Sequence, residues 1–515
     1  MTIGFWRIAT ADPDRVAIID ADGVSCSYGE LLARSRAISA GLRSLGVQRG
    51  DGVSMILPNH PAFFELLLAT MEAGIYLTPV NSHLAAPEIE YVVADSEAKV
   101  VVAHEALAAV CRAAVEGCGV AADRRFAVGR VEGFRPYDEL LGSPASAPPD
   151  RSPGGRMMYT SGTTGKPRGV RYPLTEGDPD DVYGAIAEIT CQGFGIPADG
   201  GTHLVCGPLY HAGPFVGAVN SIHVGKTIVL MDRWTPESFL ELVERYQVDS
   251  TQMVPTMFHR LLALPEEVRH RYDISSLRSV FHTGAPCPPE VKQRIMDWWG
   301  PVVYETYGGT EGAATIATPR RWLERPGTVG KAIHGVTVRI LDDNGDELPH
   351  GETGDIWIDV AAGPPSEYFK DPEKTSRMRR GRMVTLGDIG YLDEDGFLFL
   401  RDRKIDMIIS GGVNIYPAEV EAALLSAPEV ADAVVIGVPD PEWGEQVKAI
   451  VEPQPGVAPT SELAGVLIDH CRSRIAGFKL PRSVDFVERL PRLPNGKVEK
   501  RRLRDPYWAA RDTAI

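Results

Sequence analysis

The sequence has no CxxC pair, no long apolar run and no surplus of positive charge, and each absence excludes a class of protein. Its seven cysteines, Cys26, Cys111, Cys118, Cys191, Cys206, Cys287 and Cys471, are scattered and odd in number. That pattern fits reduced thiols rather than a disulfide framework or a structural zinc site. With 53 Lys and Arg against 69 Asp and Glu, a formal net charge of −16 leaves nothing to neutralise a phosphate backbone, so no nucleic-acid partner is expected. The one basic run, Lys500 to Arg504, has no interleaved aromatics and reads as a solvated tail helix. A membrane span needs ~18–20 apolar residues in a row. The longest candidate, residues 62–80, is broken by Glu65, Glu72 and Pro79 and reads as a helix entering a strand. The amino-terminal MTIGFWRIATADPDR lacks a basic segment followed by an apolar one, so export is not expected. The expectation is a cytoplasmic protein with no transmembrane segment; peripheral membrane contact and a homodimer stay open.

What is present is an ordinary globular composition spread over 515 residues, a length that exceeds one hydrophobic core and implies two or more domains. Through the first 400 residues helical and strand patterns alternate. Residues 28–45, 61–73, 87–94, 237–246 and 255–263 have helical periodicity, and 52–57, 75–80, 99–103 and 250–254 are short apolar strands. That βαβα rhythm predicts parallel sheets covered on both faces by helices. After about residue 327 hairpin signals take over, with strands at 336–341, 354–360, 389–392 and 397–400. Beyond residue 402 comes a compact α+β segment: helices at 418–426 and 462–475, strands at 430–438, 446–451 and 484–487. The predicted fold is therefore α/β. A large amino-terminal domain, residues 1–402, has parallel-rich sheets flanked by helices plus a β-rich subdomain; a small mobile α+β domain, residues 403–515, follows.

Met157, Met158 and Tyr159 read as the end of a strand, and the next ten residues are TSGTTGKPRG. Gly162, Gly165 and Gly169 let the backbone turn tightly enough for successive N–H groups to face one anion. The hydroxyls of Thr160, Ser161, Thr163 and Thr164 add donors, and Lys166 adds a mobile charge. This is a phosphate grip but not a Walker A loop: Thr160 stands where the first glycine belongs, and Pro167 replaces the magnesium-binding Ser or Thr.

The whole string closely resembles the signature of the acyl-adenylate-forming superfamily, which contains acyl-CoA synthetases, luciferases and the adenylation domains of peptide synthetases. Further blocks in the family's order extend the resemblance over nearly the whole chain. The resemblance implies that the loop, from Thr160 to Lys166, holds the β- and γ-phosphates of ATP. In YETYGGTEG, residues 304–312, it places Tyr307 against adenine beside Gly308, Thr310 at the α-phosphate and Glu311 at Mg2+. Gly284, Ala285 and Pro286 would border the adenine and acyl pocket, and Asp388 would take the ribose hydroxyls. Arg403 would contact ribose or phosphate at the domain junction, and the loop containing Gly412 would swing toward the site in a second conformation. Lys497, in the motif LPNGK, would pair with the carboxylate and α-phosphate, stabilising the charge that gathers as an acid oxygen attacks phosphorus. Two positions depart from the family's pattern: Ile405 occupies a hinge position usually held by Asp or Lys, and Leu386 replaces a common threonine.

For the acid, Pro208 to Pro214 resembles a block lining the acyl pocket, with His211 at the carboxylate end. The expected wall comprises Phe215, Val216, Gly217, residues 254–258, Gly309 and Gly312, with no Arg or Lys placed for a second charge. An apolar acid is favoured. Trp234 is either an aromatic gate or ordinary packing, and the segment 171–175 departs from the family's usual continuation in a way that suits a bulky acid. Trp443 and Phe478 match segments lining the pantetheine route, so coenzyme A is the expected acceptor. The implied activity is ATP-dependent formation of acyl-AMP and then acyl-CoA, with release of AMP and pyrophosphate. The expected substrate is a medium- or long-chain fatty acid. The alternatives are a bulky aromatic, branched or steroid-derived acid, or loading of a carrier protein.

Overall fold

The computed structural model describes residues 3–143, 147–160, 167–360, 366–411, 413–493 and 497–509. Helices form where the sequence pairs an apolar stripe with a cap. Helix Tyr28–Ser44 opens on Ser27, whose side chain accepts from the Glu30 N–H while the Glu30 carboxylate accepts from the Ser27 N–H. Helix Pro61–Glu72 is buried nearly all round, and its two carboxylates are paired. Glu65 meets Arg34 at 2.6 Å and the Tyr137 hydroxyl at 3.0 Å, and Glu72 meets Arg151 at 2.8 Å. Those partners allow two glutamates inside an apolar helix.

An eight-stranded sheet has a parallel interior, strands Gly52–Ile56, Tyr76–Pro79, Ala98–His104 and Arg125–Val128. Strand β1 (Gly155–Thr160) adds in parallel to Tyr76–Pro79, then turns back antiparallel into Arg168–Arg171. Helix α1 (Pro179–Gly193) leads to a nine-stranded sheet. There β2 (Thr202–Val205) is followed by helix α2 (Ala212–His223) and strand Thr227–Leu230, which pairs with β2 on one side. The chain then crosses through helix Pro236–Tyr246 to β3 (Val248–Met253) on the other side of β2. The order continues through β4 (Ser279–His282) and β5 (Val303–Gly309), all parallel. The connections after β2 and β3 therefore diverge, which opens a crevice beyond their carboxyl ends, the place where open α/β sheets bind ligands.

Two buried ion pairs brace this sheet. Lys226 Nζ lies 2.7 Å from both carboxylate oxygens of Asp249 and from the Gly200 carbonyl. Lys292 Nζ meets Glu305 on β5 at 2.8 Å. Burial pushes Glu305 up, but Lys292 and His282 outweigh it and hold the carboxyl down at about 2.

A five-stranded antiparallel sheet follows, containing Val336–Leu341, Gly354–Val360, β6 (Met383–Leu392) and β7 (Leu398–Arg403). A second five-stranded sheet spans Ile408–Ser410 to Ser483–Phe486; helices Pro417–Leu425 and Ser461–Arg472 cover it through Val420, Leu424, Leu467 and Cys471. The fold is the predicted α/β arrangement, with antiparallel strands added at the edges of both parallel sheets. One expectation is corrected. The tail helix Lys500–Trp508 is not wholly solvated, because Lys500 Nζ reaches Glu421 at 2.9 Å and is largely covered. Among the described residues no helix is long and apolar enough to cross a membrane.

Candidate functional site

The candidate residues collect beyond the carboxyl ends of parallel strands. Thr160 ends β1, His211 follows β2, and the loop with Gly284, Ala285 and Pro286 follows β4. Tyr307 and Gly308 close β5. Ser161, Gly162, Thr163, Thr164, Gly165, Lys166 and Gly412 lie outside the described residues.

Gly309 pairs with Gly312 across a tight hairpin, so Thr310 and Glu311 form its tip. Gly308 is sterically required, since a Cβ there would sit 2.6 Å from the Gly312 carbonyl, while one on Gly309 would push on the Glu311 carboxylate, 2.6 Å away. Glu311 is held firmly. Tyr368 donates its hydroxyl to Glu311 Oε1 at 2.6 Å, and the Glu311 carbonyl accepts from Ser366 Oγ at 3.1 Å and from the Tyr172 hydroxyl at 2.5 Å.

Asp388 and Arg403 face each other in register across β6 and β7. Arg403 Nε stands 3.5 Å from Asp388 Oδ1, while Tyr307 donates to Asp388 Oδ2 at 2.8 Å. Burial pushes the Asp388 carboxyl up, and Arg403, Tyr307 and Lys497 oppose it. Lys497 shares this environment although it comes from the far end of the chain. Burial lowers its ammonium below the ordinary lysine value and Arg403 lowers it further, while Glu311 and Asp388 hold it up. His211, at the amino end of α2, is pulled down to about 4 by burial, then by Lys497 and His83. It is therefore neutral at pH 7. The structure thus gathers Tyr307, Glu311, Asp388, Arg403, Lys497 and His211 around one space. Trp443 and Phe478 are placed differently. Trp443 packs on Gly411, whose N–H donates to the Trp443 carbonyl at 2.8 Å, and both aromatics keep about half their surface exposed on the small domain.

Three further residues escaped the motifs. Tyr368 and Ser366, which fasten Glu311, sit in a segment without a recognisable pattern. Tyr172 belongs to the segment that departs from the family continuation, and its backbone carbonyl accepts from the Tyr76 hydroxyl at 2.8 Å. Trp234 packs against the core of the nine-stranded sheet, which favours packing over a gate. One expectation about the acyl wall is corrected. Arg156, on β1, lies over the Phe215 ring at 5.3 Å, so a cation does stand beside a residue expected to form that wall. Sequence spacing could not show it, because β1 and α2 meet only through the fold.

Chemically, the group offers an ammonium, a guanidinium and two fixed carboxylates around one crevice, an arrangement suited to a polyanion carrying a sugar and a metal. The AMP-binding enzyme model matches residues 5–363, and the AMP-binding enzyme C-terminal domain matches 419–497. The chain is 35% identical to a feruloyl-CoA synthase from Amycolatopsis sp., over 98% of both chains. It is 31% identical to the long-chain-fatty-acid–CoA ligase FadD13 of Mycobacterium tuberculosis, over 97% of both. Among solved structures, o-succinylbenzoate CoA synthetase of Bacillus subtilis, in complex with its acyl-adenylate, matches with a TM-score of 0.80 at 28% identity, covering 99% of both chains. The chain belongs to the AMP-binding enzyme family and, within it, to the AMP-forming acyl-CoA synthetases.

Proposed function

We propose that the protein activates a largely apolar carboxylic acid with ATP and passes the acyl group to coenzyme A, a medium- or long-chain fatty acid being the first substrate class to test. The observation that carries this is the convergence of Lys497, Glu311, Asp388 and Arg403 on one crevice. A carboxylate oxygen attacks the α-phosphorus of ATP, the bond to the bridging oxygen breaks, and pyrophosphate leaves. The Lys497 ammonium stabilises the oxygens of the carboxylate and α-phosphate as they approach. Asp388 orients the ribose hydroxyls, Arg403 and Tyr307 hold Asp388 in place, and Thr160 with the following loop grips the outer phosphates.

Glu311 fits a magnesium ion that meets the protein mainly through nucleotide oxygens. Its carboxylate is a hard ligand, and among the described residues no group of three His, Cys, Asp or Glu offers an all-protein cage. When bound, the ion would neutralise phosphate charge. In the second half-reaction the thiol sulfur attacks the acyl carbonyl and AMP departs. No nucleophile of the protein is needed, because the mixed anhydride is already activated. For this step the small domain, residues 403–515, turns about the hinge position Ile405 against residues 1–402, and Trp443 and Phe478 move toward the site.

A second substrate class, a bulky aromatic, branched or steroid-derived acid, is favoured by Tyr172, whose hydroxyl donates to the Glu311 carbonyl and so brings the segment that departs from the family continuation to the candidate site. The feruloyl-CoA synthase relative supports an aromatic acid as well. The test is pyrophosphate release with ATP, magnesium and a panel of straight-chain, aromatic and polycyclic acids, with and without coenzyme A. Multiple turnovers and a thioester only with coenzyme A support the proposal. Single-turnover release with no thioester overturns the acceptor, and preference for straight C12–C18 acids removes the bulky class.

A further inference from the structure

Arg156 and Thr160 share one face of β1, since side chains alternate along a strand, and Thr160 marks the reaction end. Arg156 therefore stands ~13 Å back from that end, at ~3.3 Å per residue. Its strand partner Leu77 belongs to the same buried cluster as Phe215, the residue over which the guanidinium lies at 5.3 Å. Tyr172, whose hydroxyl touches the Glu311 carbonyl, and Tyr183 are neighbouring phenols, both held un-ionised by burial. Among the described residues no carboxylate pairs with Arg156, in contrast to nearby Arg151 and Arg171, which pair with Glu72 and Glu367. It is half-buried, and burial lowers its pKa.

The ring of Phe215 covers one face of the guanidinium and leaves its edge donors without a protein acceptor among the described residues. That planar fork of donors is suited to oxygen acceptors.

We infer that Arg156 is a specificity-determining residue that receives a second oxygen acceptor of the acid, a carboxylate or a carbonyl, at the end remote from the carboxyl being activated. This rests on the acid-activating function proposed above and narrows its substrate class to acids polar at both ends with an apolar middle. At ~1.2 Å per bond of an extended chain, the two ends are on the order of ten bonds apart.

The test compares three acids of equal length, about ten carbons by the same spacing: a plain monocarboxylic acid, an oxo-acid with its carbonyl near the far end, and a dicarboxylic acid. Initial pyrophosphate release gives kcat/KM for each with the wild type, Arg156→Met and Arg156→Lys. The wild type should favour an oxygenated acid over the plain one by about tenfold or more, because a polar site rejects an analogue that leaves it unpaired. Arg156→Met should bring that ratio close to one. Arg156→Lys, which keeps the charge and serves if the Met variant does not fold, should lower it at least ~3-fold because the fork is lost. A preference for the dicarboxylate alone identifies an anion as the ligand; preference for both oxygenated acids identifies a carbonyl-type acceptor. A wild type that shows no such preference, or a ratio unmoved by either substitution, overturns the role of Arg156 while leaving acid activation intact. Absence of turnover with every acid, here and in the wider panel, overturns acid activation itself.

Discussion

Tyr307 donates its hydroxyl to Asp388 Oδ2 across 2.8 Å, and that bond is one of several links between the nine-stranded sheet and the antiparallel sheet beside it. The tyrosine ends a parallel strand, while the aspartate lies on a strand whose partner carries Arg403. The bond orients a buried carboxylate that Arg403 also faces at 3.5 Å. Removing the hydroxyl should therefore affect nucleotide binding before it affects chemistry.

For Tyr307→Phe, KM for ATP should rise about tenfold with kcat little changed, since a hydrogen bond to a charged group contributes ~1.5–3 kcal/mol. Pyrophosphate release at varied ATP measures both. A fall in kcat with KM unchanged would contradict an orienting role.

Lys497→Ala should reduce adenylation by ~10²–10³-fold, the scale of losing one preorganised electrostatic donor. Thioester formation from supplied acyl-AMP and coenzyme A should be spared. Equal loss in both half-reactions would refute the assignment. Because burial and Arg403 lower the Lys497 pKa, adenylation in the wild type should also fall on the alkaline side at a pH below the ordinary lysine value.

Three buried histidines predict acid sensitivity. Burial pulls His203 and His223 down to about 3 and His211 down to about 4. In the unfolded chain each binds its proton near the usual 6.5, so lowering pH favours unfolding. The stability they allow is fully present above about 6.5 and falls toward 4, by up to ~1.4 kcal/mol per pH unit for each group. Urea midpoints at pH 7.5 and 5.5 should differ in that direction. Replacing His223, whose ring stacks on Tyr183, with Phe should reduce the difference. An unchanged difference would show that other groups govern it.

Lys226→Met should destabilise the fold by ~3–5 kcal/mol, because Asp249 is left as an uncompensated buried charge. The double variant Lys226→Met with Asp249→Leu should recover a good part of the loss, since both charges leave together. Denaturant midpoints measure each step. A double variant no more stable than the single would show that packing, not the unpaired carboxylate, sets the cost.

Much of the fold was legible because its periodicities are local. The helix predicted over 61–73 is Pro61–Glu72, and the strand predicted over 250–254 overlaps Val248–Met253. Legibility failed where a neighbour from elsewhere decides an environment. Lys500 looked like one charge in a solvated run, yet Glu421 draws it inward. Trp234 allowed two readings until the core of the nine-stranded sheet received it.

The sequence by itself determined that this chain handles ATP and an acid: the loop at 160–169, the hairpin around Glu311 and the motif ending in Lys497 are short local patterns, legible without knowing what lies across from them. Only the tertiary structure decided what each group faces. Tyr368 fastens Glu311 from 57 positions away, and Arg156 stands beside Phe215 because β1 and α2 pack together. Burial and charge pairing depend on distance through space, and spacing along the chain carries no record of that distance.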